Sequence, residues 1–196
     1  MKKLLIILAV LAVIIFASIK WGVGVNNTII EDQGVAIAQW ANVESAYQRR
    51  ADLIPNLVAT VKGYADHEKE TLEAVINARA KATQTTIDPT NITPEQIAAF
   101  QESQQGLTGA LSKLLVSVER YPDLKADRSF LELQSQLEGT ENRINTERNR
   151  YNDFAGKYNI SIDKFPTNFF ARFINKDKLS LFKSAAGSEN APKVEF

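Results

Sequence analysis

The residues best placed to do chemistry are His67 and Glu68, the carboxylates Glu138, Glu141 and Glu147, and the arginine pair Arg49-Arg50. His67-Glu68 is half of the H-E-x-x-H signature, in which two histidines one helical turn apart hold zinc and the glutamate acts as base. Position 71 is Thr71, so the second ligand is missing, and His67 is the only histidine in the chain. With no cysteine, thiolate nucleophiles, disulfides and zinc–sulfur sites are excluded together. Gly106 and Gly109 fall inside a helical pattern with no strand before them, which does not make a phosphate cradle. Neither a G-x-S-x-G elbow nor a Walker lysine occurs. The acids lie on helical rows without a partner across a recognisable cleft, so no catalysis, cofactor or metal site is expected.

The polar set with the most structural content is Arg49, Arg50, Glu138, Glu141, Asn142 and Arg143. Steps of three and four from Trp40 land on Val43, Tyr47, Arg50, Ile54, Leu57, Val61 and Tyr64. Only Arg50 interrupts that apolar row, and Pro55 removes a backbone donor one residue past Ile54. Two local rules broken so close together mark a kink or a paired buried charge. The structural reading pairs Arg50 with Glu138 or Glu141 and so fixes the register of the first and last helices. The functional reading makes the same residues a contact surface for a partner. Tyr47, Tyr64, Tyr151 and Tyr158 fall on seams and read as core.

These residues need long helices to position them. The chain has 196 residues, 44% of them hydrophobic, with 23 basic and 23 acidic side chains. That balance offers no basic face for nucleic acid. The 3,4 spacing predicts one helix from about Asn26 to Ala65 and a second opened by Asp66 as N-cap, with Leu72, Val75, Ile76 and Ala82 as its stripe. A loop follows over Thr85–Ile92. Thr93-Pro94-Glu95-Gln96 then supplies an N-cap, a first-turn proline and a capping-box glutamine. The third helix runs through Ile97, Phe100, Gln104, Leu107, Leu111, Leu114, Val118 and Tyr121 until Pro122 stops it. A fourth begins near Leu124, with Phe130, Leu133, Leu137, Thr140, Ile144, Glu147, Tyr151, Phe154 and Tyr158 on its seam.

Residues 4–19 are apolar but for Ser18, and Lys20-Trp21 follow. That length spans a hydrocarbon core if Lys20 snorkels and Trp21 sits at the interface. The rival reading is a cleaved signal peptide, for which only Gly22-Val23-Gly24 would serve as the cleavage site. Lys2 and Lys3 hold the short tail in the cytoplasm and send the body outside. The expected division is 1–25 tail and anchor, 26–160 bundle, and 161–196 aromatic segment and flexible tail, with a linker over Ala185–Ala191. If the four helices alternate, the last delivers Phe169, Phe170, Phe173 and Phe182 to the lipid surface beside Trp21. The rival is a flap packed over the end of the bundle.

The run Trp40–Glu68 (WANVESAYQRRADLIPNLVATVKGYADHE), YPDLKA at Tyr121–Ala126, LEGTENRI at Leu137–Ile144, Arg150-Tyr151-Asn152 and the ending Pro192–Phe196 resemble the LemA family of bacterial membrane proteins. The resemblance covers nearly the whole chain. It implies an all-α, antiparallel up-and-down four-helix bundle behind one N-terminal transmembrane helix, in the inner membrane, with no established enzymatic activity. It also implies gene neighbours that include membrane metalloproteases, and a branch serving magnetosome formation. The resemblance would place the short N-terminus outside the cell; Lys2 and Lys3 place it inside, and the charges are followed here. The expected partners are the lipid bilayer, other envelope proteins or further copies of the chain, and a membrane metalloprotease. The expected role is a scaffold or adaptor; the alternatives are a self-assembling membrane shaper or a regulatory partner of such a protease.

Overall fold

A computed structural model describes residues 2–183. Six α-helices and one 3-10 turn account for most of them, and no strand occurs among the described residues. The first, α1 (Lys2–Lys62), carries the apolar run and the Trp40 row without interruption. At 1.5 Å per residue it is about 90 Å long. Its N-terminal part is the one stretch among the described residues long and apolar enough to cross a membrane, and none of that window is buried by the rest of the chain. No joint separates this stretch from the packed part of α1.

A 3-10 turn (Asp66–Glu68) leads into α2 (Lys69–Gln84). Asp66 is therefore not the N-cap of α2; Glu68 holds that position and makes no side-chain cap bond. The loop over 85–93 ends on the expected capping box. Gln96 N donates to Thr93 Oγ1 at 3.3 Å, and Thr93 N donates to Gln96 Oε1 at 3.0 Å. This starts α3 (Pro94–Val118). Pro122 opens α4 (Pro122–Lys125), a single turn. The last long helix, α5 (Arg128–Asp163), begins four residues later than expected, because Asp127 caps it by accepting from Phe130 N at 2.9 Å. A short α6 (Thr167–Phe173) follows. Lys176 N donates to Ala171 O at 2.9 Å, closing α6 with Asn175 in the left-handed region at φ 53°.

The principal pairing is α1 against α5, then α2 against α3, with α2 also touching α1. Cross-helix partners give the directions. Lys157 meets Asp32, Glu147 meets Gln39 and Glu141 meets Arg50, so α5 runs opposite to α1. Arg120 meets Glu68 and Gln104 meets Ala82, so α3 runs opposite to α2.

Two apolar clusters result. The upper one joins Trp40, Val43 and Tyr47 to Phe100, Ile144, Tyr151, Tyr158, Leu179 and Phe182. The lower joins Ile54, Leu57 and Val61 to Leu72, Val75, Leu107, Leu114, Leu124 and Phe130. Three residues expected on seams lie on the surface instead: Ile76, Phe154 and Tyr64. Tyr64 falls in the turn beyond the end of α1 at Lys62, where its hydroxyl donates to Asp127 at 3.0 Å, whereas Ile76 and Phe154 face outward from α2 and α5. The linker over Ala185–Ala191 and the ending Pro192–Phe196 lie outside the described residues.

Candidate functional site

The two clusters meet at a polar layer, and Arg50 is its centre. Arg50 is 3% exposed. Its Nη1 donates to Glu141 Oε2 at 2.9 Å and to Thr108 Oγ1 at 3.2 Å, and its Nη2 donates to Gln104 Oε1 at 2.6 Å. Gln104 Nε2 in turn donates to Ala82 O at 3.2 Å, so the layer touches α1, α2, α3 and α5. The upper cluster ends at Tyr47, Phe100 and Ile144, and the lower begins at Ile54 and Leu107. Helices α1, α3 and α5 change from one cluster to the other at this level, α5 between Ile144 and Leu137. A one-turn slip would push a guanidinium into aliphatic side chains, so the layer discriminates against other registers. Of the two acids proposed for Arg50, Glu141 is in place. Glu138 stays on the surface and accepts from Gln134 within its own helix at 3.3 Å. Arg49 and Asn142 are not part of the layer; Arg49 lines a groove between α1 and α5 with Arg143.

Helix α1 continues through Pro55 without a break. Proline cannot donate to the carbonyl four residues back, here Ala51 O. Arg79 Nε of α2 donates to that oxygen at 2.7 Å. Arg79 did not stand out in the sequence, although the orphan carbonyl that Pro55 must leave was readable there.

A second buried charge sits higher. Glu147 is fully buried, accepts from Gln39 Nε2 at 2.6 Å, and pairs with Arg143 Nε at 2.6 Å and Arg150 Nη1 at 3.3 Å. Sequence reasoning placed Glu147 on the α5 seam but left it unpaired. Its position between Ile144 and Tyr151 on that row was the available signal.

The fourth feature is a strap. After α6 the chain turns back along α5, and residues 177–183 are held by their backbone. Asn159 Nδ2 donates to Leu179 O, and Leu179 N donates to Asn159 Oδ1, both at 2.8 Å. Asn152 makes the same two bonds with Phe182, both at 2.9 Å. Tyr158 OH donates to Asp177 O at 3.0 Å and Tyr151 OH to Ser180 O at 2.8 Å. A Tyr-Asn doublet repeated after seven residues thus reads one stretch of main chain twice. Burial raises the pKa of both tyrosines, and that of Tyr47 in the same cluster.

Phe182 inserts between helices, stacked on Trp40 at 5.5 Å, and the Arg148 guanidinium lies over the Phe182 ring at 4.6 Å. This corrects one membrane-interface expectation. Phe182 is 6% exposed and level with Trp40, nineteen residues or about 28 Å of helix beyond Trp21. Phe169 and Phe173 are exposed, whereas Phe170 packs edge-on against Trp21 at 6.3 Å.

His67 is exposed, and the buried carboxylate of Glu68 accepts from Arg120 at 2.7 Å and from Tyr121 OH at 3.0 Å. No group of three or more metal-capable side chains occurs among the described residues. A concavity of about 1010 Å³ lies between α1 and α5 beside Trp21, lined by Gly24, Thr28, Gly156, Ile160 and Lys164 among others. Trp40 Nε1, Arg50 Nε and Arg148 Nε are buried without an acceptor.

Comparison with known proteins adds the lineage. Protein LemA of Metamycoplasma hominis is 26% identical over 163 residues, 83% of this chain and 71% of its own length. Magnetosome protein MamQ 2 of Paramagnetospirillum magneticum is 28% identical over 185 residues, 85% of this chain and 67% of its own. Magnetosome protein MamQ of Magnetospirillum gryphiswaldense is 25% identical over 172 residues, 79% of this chain and 62% of its own. The model of the LemA family matches residues 39–196, which take in the Arg50 layer, Pro55 and the Tyr-Asn repeat, and the chain belongs to that family.

Proposed function

We propose that the protein is a single-pass membrane scaffold whose body, an antiparallel four-helix bundle of α1, α2, α3 and α5, recruits or organises other envelope proteins without catalysis. The observation that carries this reading is the continuity of α1. One uninterrupted helix holds both the apolar run and the Trp40 row, so the bilayer and the body are coupled without a flexible joint. Lys2 and Lys3 keep the tail cytoplasmic and the body extracytoplasmic. The buried polar groups support a structural rather than a reactive core. Arg50, Gln104, Gln39 and Glu147 are bound to one another or to neighbouring helices.

The test is photo-crosslinking in intact cells from Arg49 and Gly139, which line the outer groove between α1 and α5. A scaffold gives discrete adducts with other envelope proteins, and protease added to spheroplasts digests the body. Adducts with lipid alone, or protection until lysis, refute the recruiting role and the orientation respectively.

A second reading has one observation in its favour. The same groove, about 740 Å³, is lined by the small residues Ser45, Ala46, Gly139 and Thr140, which let another helix approach closely. Adducts exclusively between copies, with a large homo-oligomer by mass analysis in detergent, select self-assembly instead.

A further inference from the structure

We infer that α6 and the turn before it form a foot that rests on an anionic lipid surface and sets the angle at which α1 leaves the bilayer. This rests on the membrane-anchor reading above. Phe165, Phe169 and Phe173 are 80%, 66% and 84% exposed, and the rings of Phe165 and Phe169 meet edge-to-face at 6.1 Å. Three bare phenylalanines within nine residues are a patch that a water-facing surface does not carry without a partner. The opposite face of α6 is seated. Ala171 is buried, Phe170 and Ile174 pack on the upper cluster, and Phe170 lies against Trp21. The fit there is close, since a Cβ on Gly22 would lie 3.5 Å from the Phe170 ring.

The occupant follows from position and charge. Trp21 directly follows the apolar run and Lys20, so the phenylalanines beside it sit where the headgroups begin. Lys20, Lys164 and Arg172 are exposed around the patch. Two acids of this pole are already paired: Asp163 with Lys178 at 2.7 Å and Asp32 with Lys157 at 3.3 Å. Glu31, Asp153 and Asp177 remain, and the aromatic rings with these three exposed cations still match an interface of phosphates over acyl chains. Because α1 has no joint between Trp21 and Trp40, pinning α6 to the headgroups fixes the tilt of the whole body.

The test uses the full chain reconstituted into phosphatidylcholine vesicles with and without phosphatidylglycerol. The absence of cysteine makes single labels clean. An environment-sensitive fluorophore is placed at Phe169→Cys, at Phe173→Cys and, as an aqueous control at the far pole, at Val116→Cys, which is 72% exposed. The foot predicts blue-shifted emission at 169 and 173. It also predicts several-fold stronger quenching there than at 116 by lipids labelled near the headgroup, strengthened by phosphatidylglycerol and weakened by a Lys20, Lys164 and Arg172→Gln triple variant. Aqueous signals at 169 and 173, in a chain that resists carbonate extraction, overturn the foot and leave the anchor standing. Extraction by carbonate overturns the anchor, and the foot with it. A blue shift that vanishes when protein is diluted in the bilayer also overturns the foot, assigning the patch to contact between copies.

Discussion

Replacing Arg79 by Met removes the donor to Ala51 O and keeps most of the aliphatic stem. A hydrogen bond to a charged donor contributes about 1.5–3 kcal/mol. Arg79 is only half-buried and its guanidinium is partly hydrated either way, which pulls the expectation toward the lower end. Ala51 is 3% exposed, so its carbonyl, once orphaned, cannot recover the bond cheaply from solvent. Arg79→Met should therefore cost about 1.5–2 kcal/mol, a loss bounded by the desolvation of one buried acceptor. The same substitution in a Pro55→Ala background should cost under about 0.5 kcal/mol, because residue 55 then donates to Ala51 O within α1. The assay is a double-mutant cycle by chemical denaturation of the detergent-solubilised full chain, followed by far-ultraviolet circular dichroism. A coupling near zero, with Arg79→Met equally harmful in both backgrounds, would falsify the reasoning. Arg79 would then act by packing or general charge rather than by replacing the bond that Pro55 removes.

Arg50→Ala should cost about 3–5 kcal/mol because it strands buried Gln104, and Glu141→Ala should cost about 3, since it leaves the buried Arg50 guanidinium without its counter-charge while Gln104 and Thr108 still accept from it. Strict additivity of the two would mean that they do not interact. Phe182→Ala should remove about 3–5 kcal/mol of strap docking, read as faster tryptic cleavage at Lys176 and Lys178 and a red shift of Trp40 fluorescence; unchanged proteolysis contradicts the docked strap. Burial raises the pKa of Tyr47, Tyr151 and Tyr158. The fold therefore favours their neutral forms, and their contribution is complete below about pH 10, the unfolded value. It is lost as pH rises from there toward the folded values. Tyrosinate absorbance and loss of helix should rise together above about pH 10; all five tyrosines ionising near the ordinary value with the helices intact would refute this.

Much of the fold was legible because helical periodicity and caps are local. Thr93-Pro94-Glu95-Gln96 started α3 as read, and the Trp40 row is buried except at Tyr64. Arg50 stood out because one charge on an apolar row needs a partner, and LEGTENRI offered the acids. What stayed hidden depended on which faces are covered. Ile76 and Phe154 sit on apolar rows yet are exposed, so periodicity alone misassigned them. Phe182 looked like one more interfacial aromatic, and only the path of the strap, fixed by Asn152 and Asn159, carries it back to Trp40. The Tyr-Asn repeat was visible as a seven-residue period, but its tyrosines read as ordinary core. Main-chain recognition leaves no mark on the side chains being recognised. The anchor and the bundle looked like two segments, and nothing local revealed that Gly22-Val23-Gly24 stays helical.

In the proposed arrangement the bilayer and the body share one stiff helix. Spin labels at Val23→Cys and Gln48→Cys, both exposed positions on α1, report on it directly by pulsed electron resonance in lipid nanodiscs. A continuous helix predicts a single narrow distance near 38 Å plus the label linkers, from 1.5 Å per residue over the separation. A broad distribution, or one centred well below that distance, would show a joint at the bilayer surface and contradict the account.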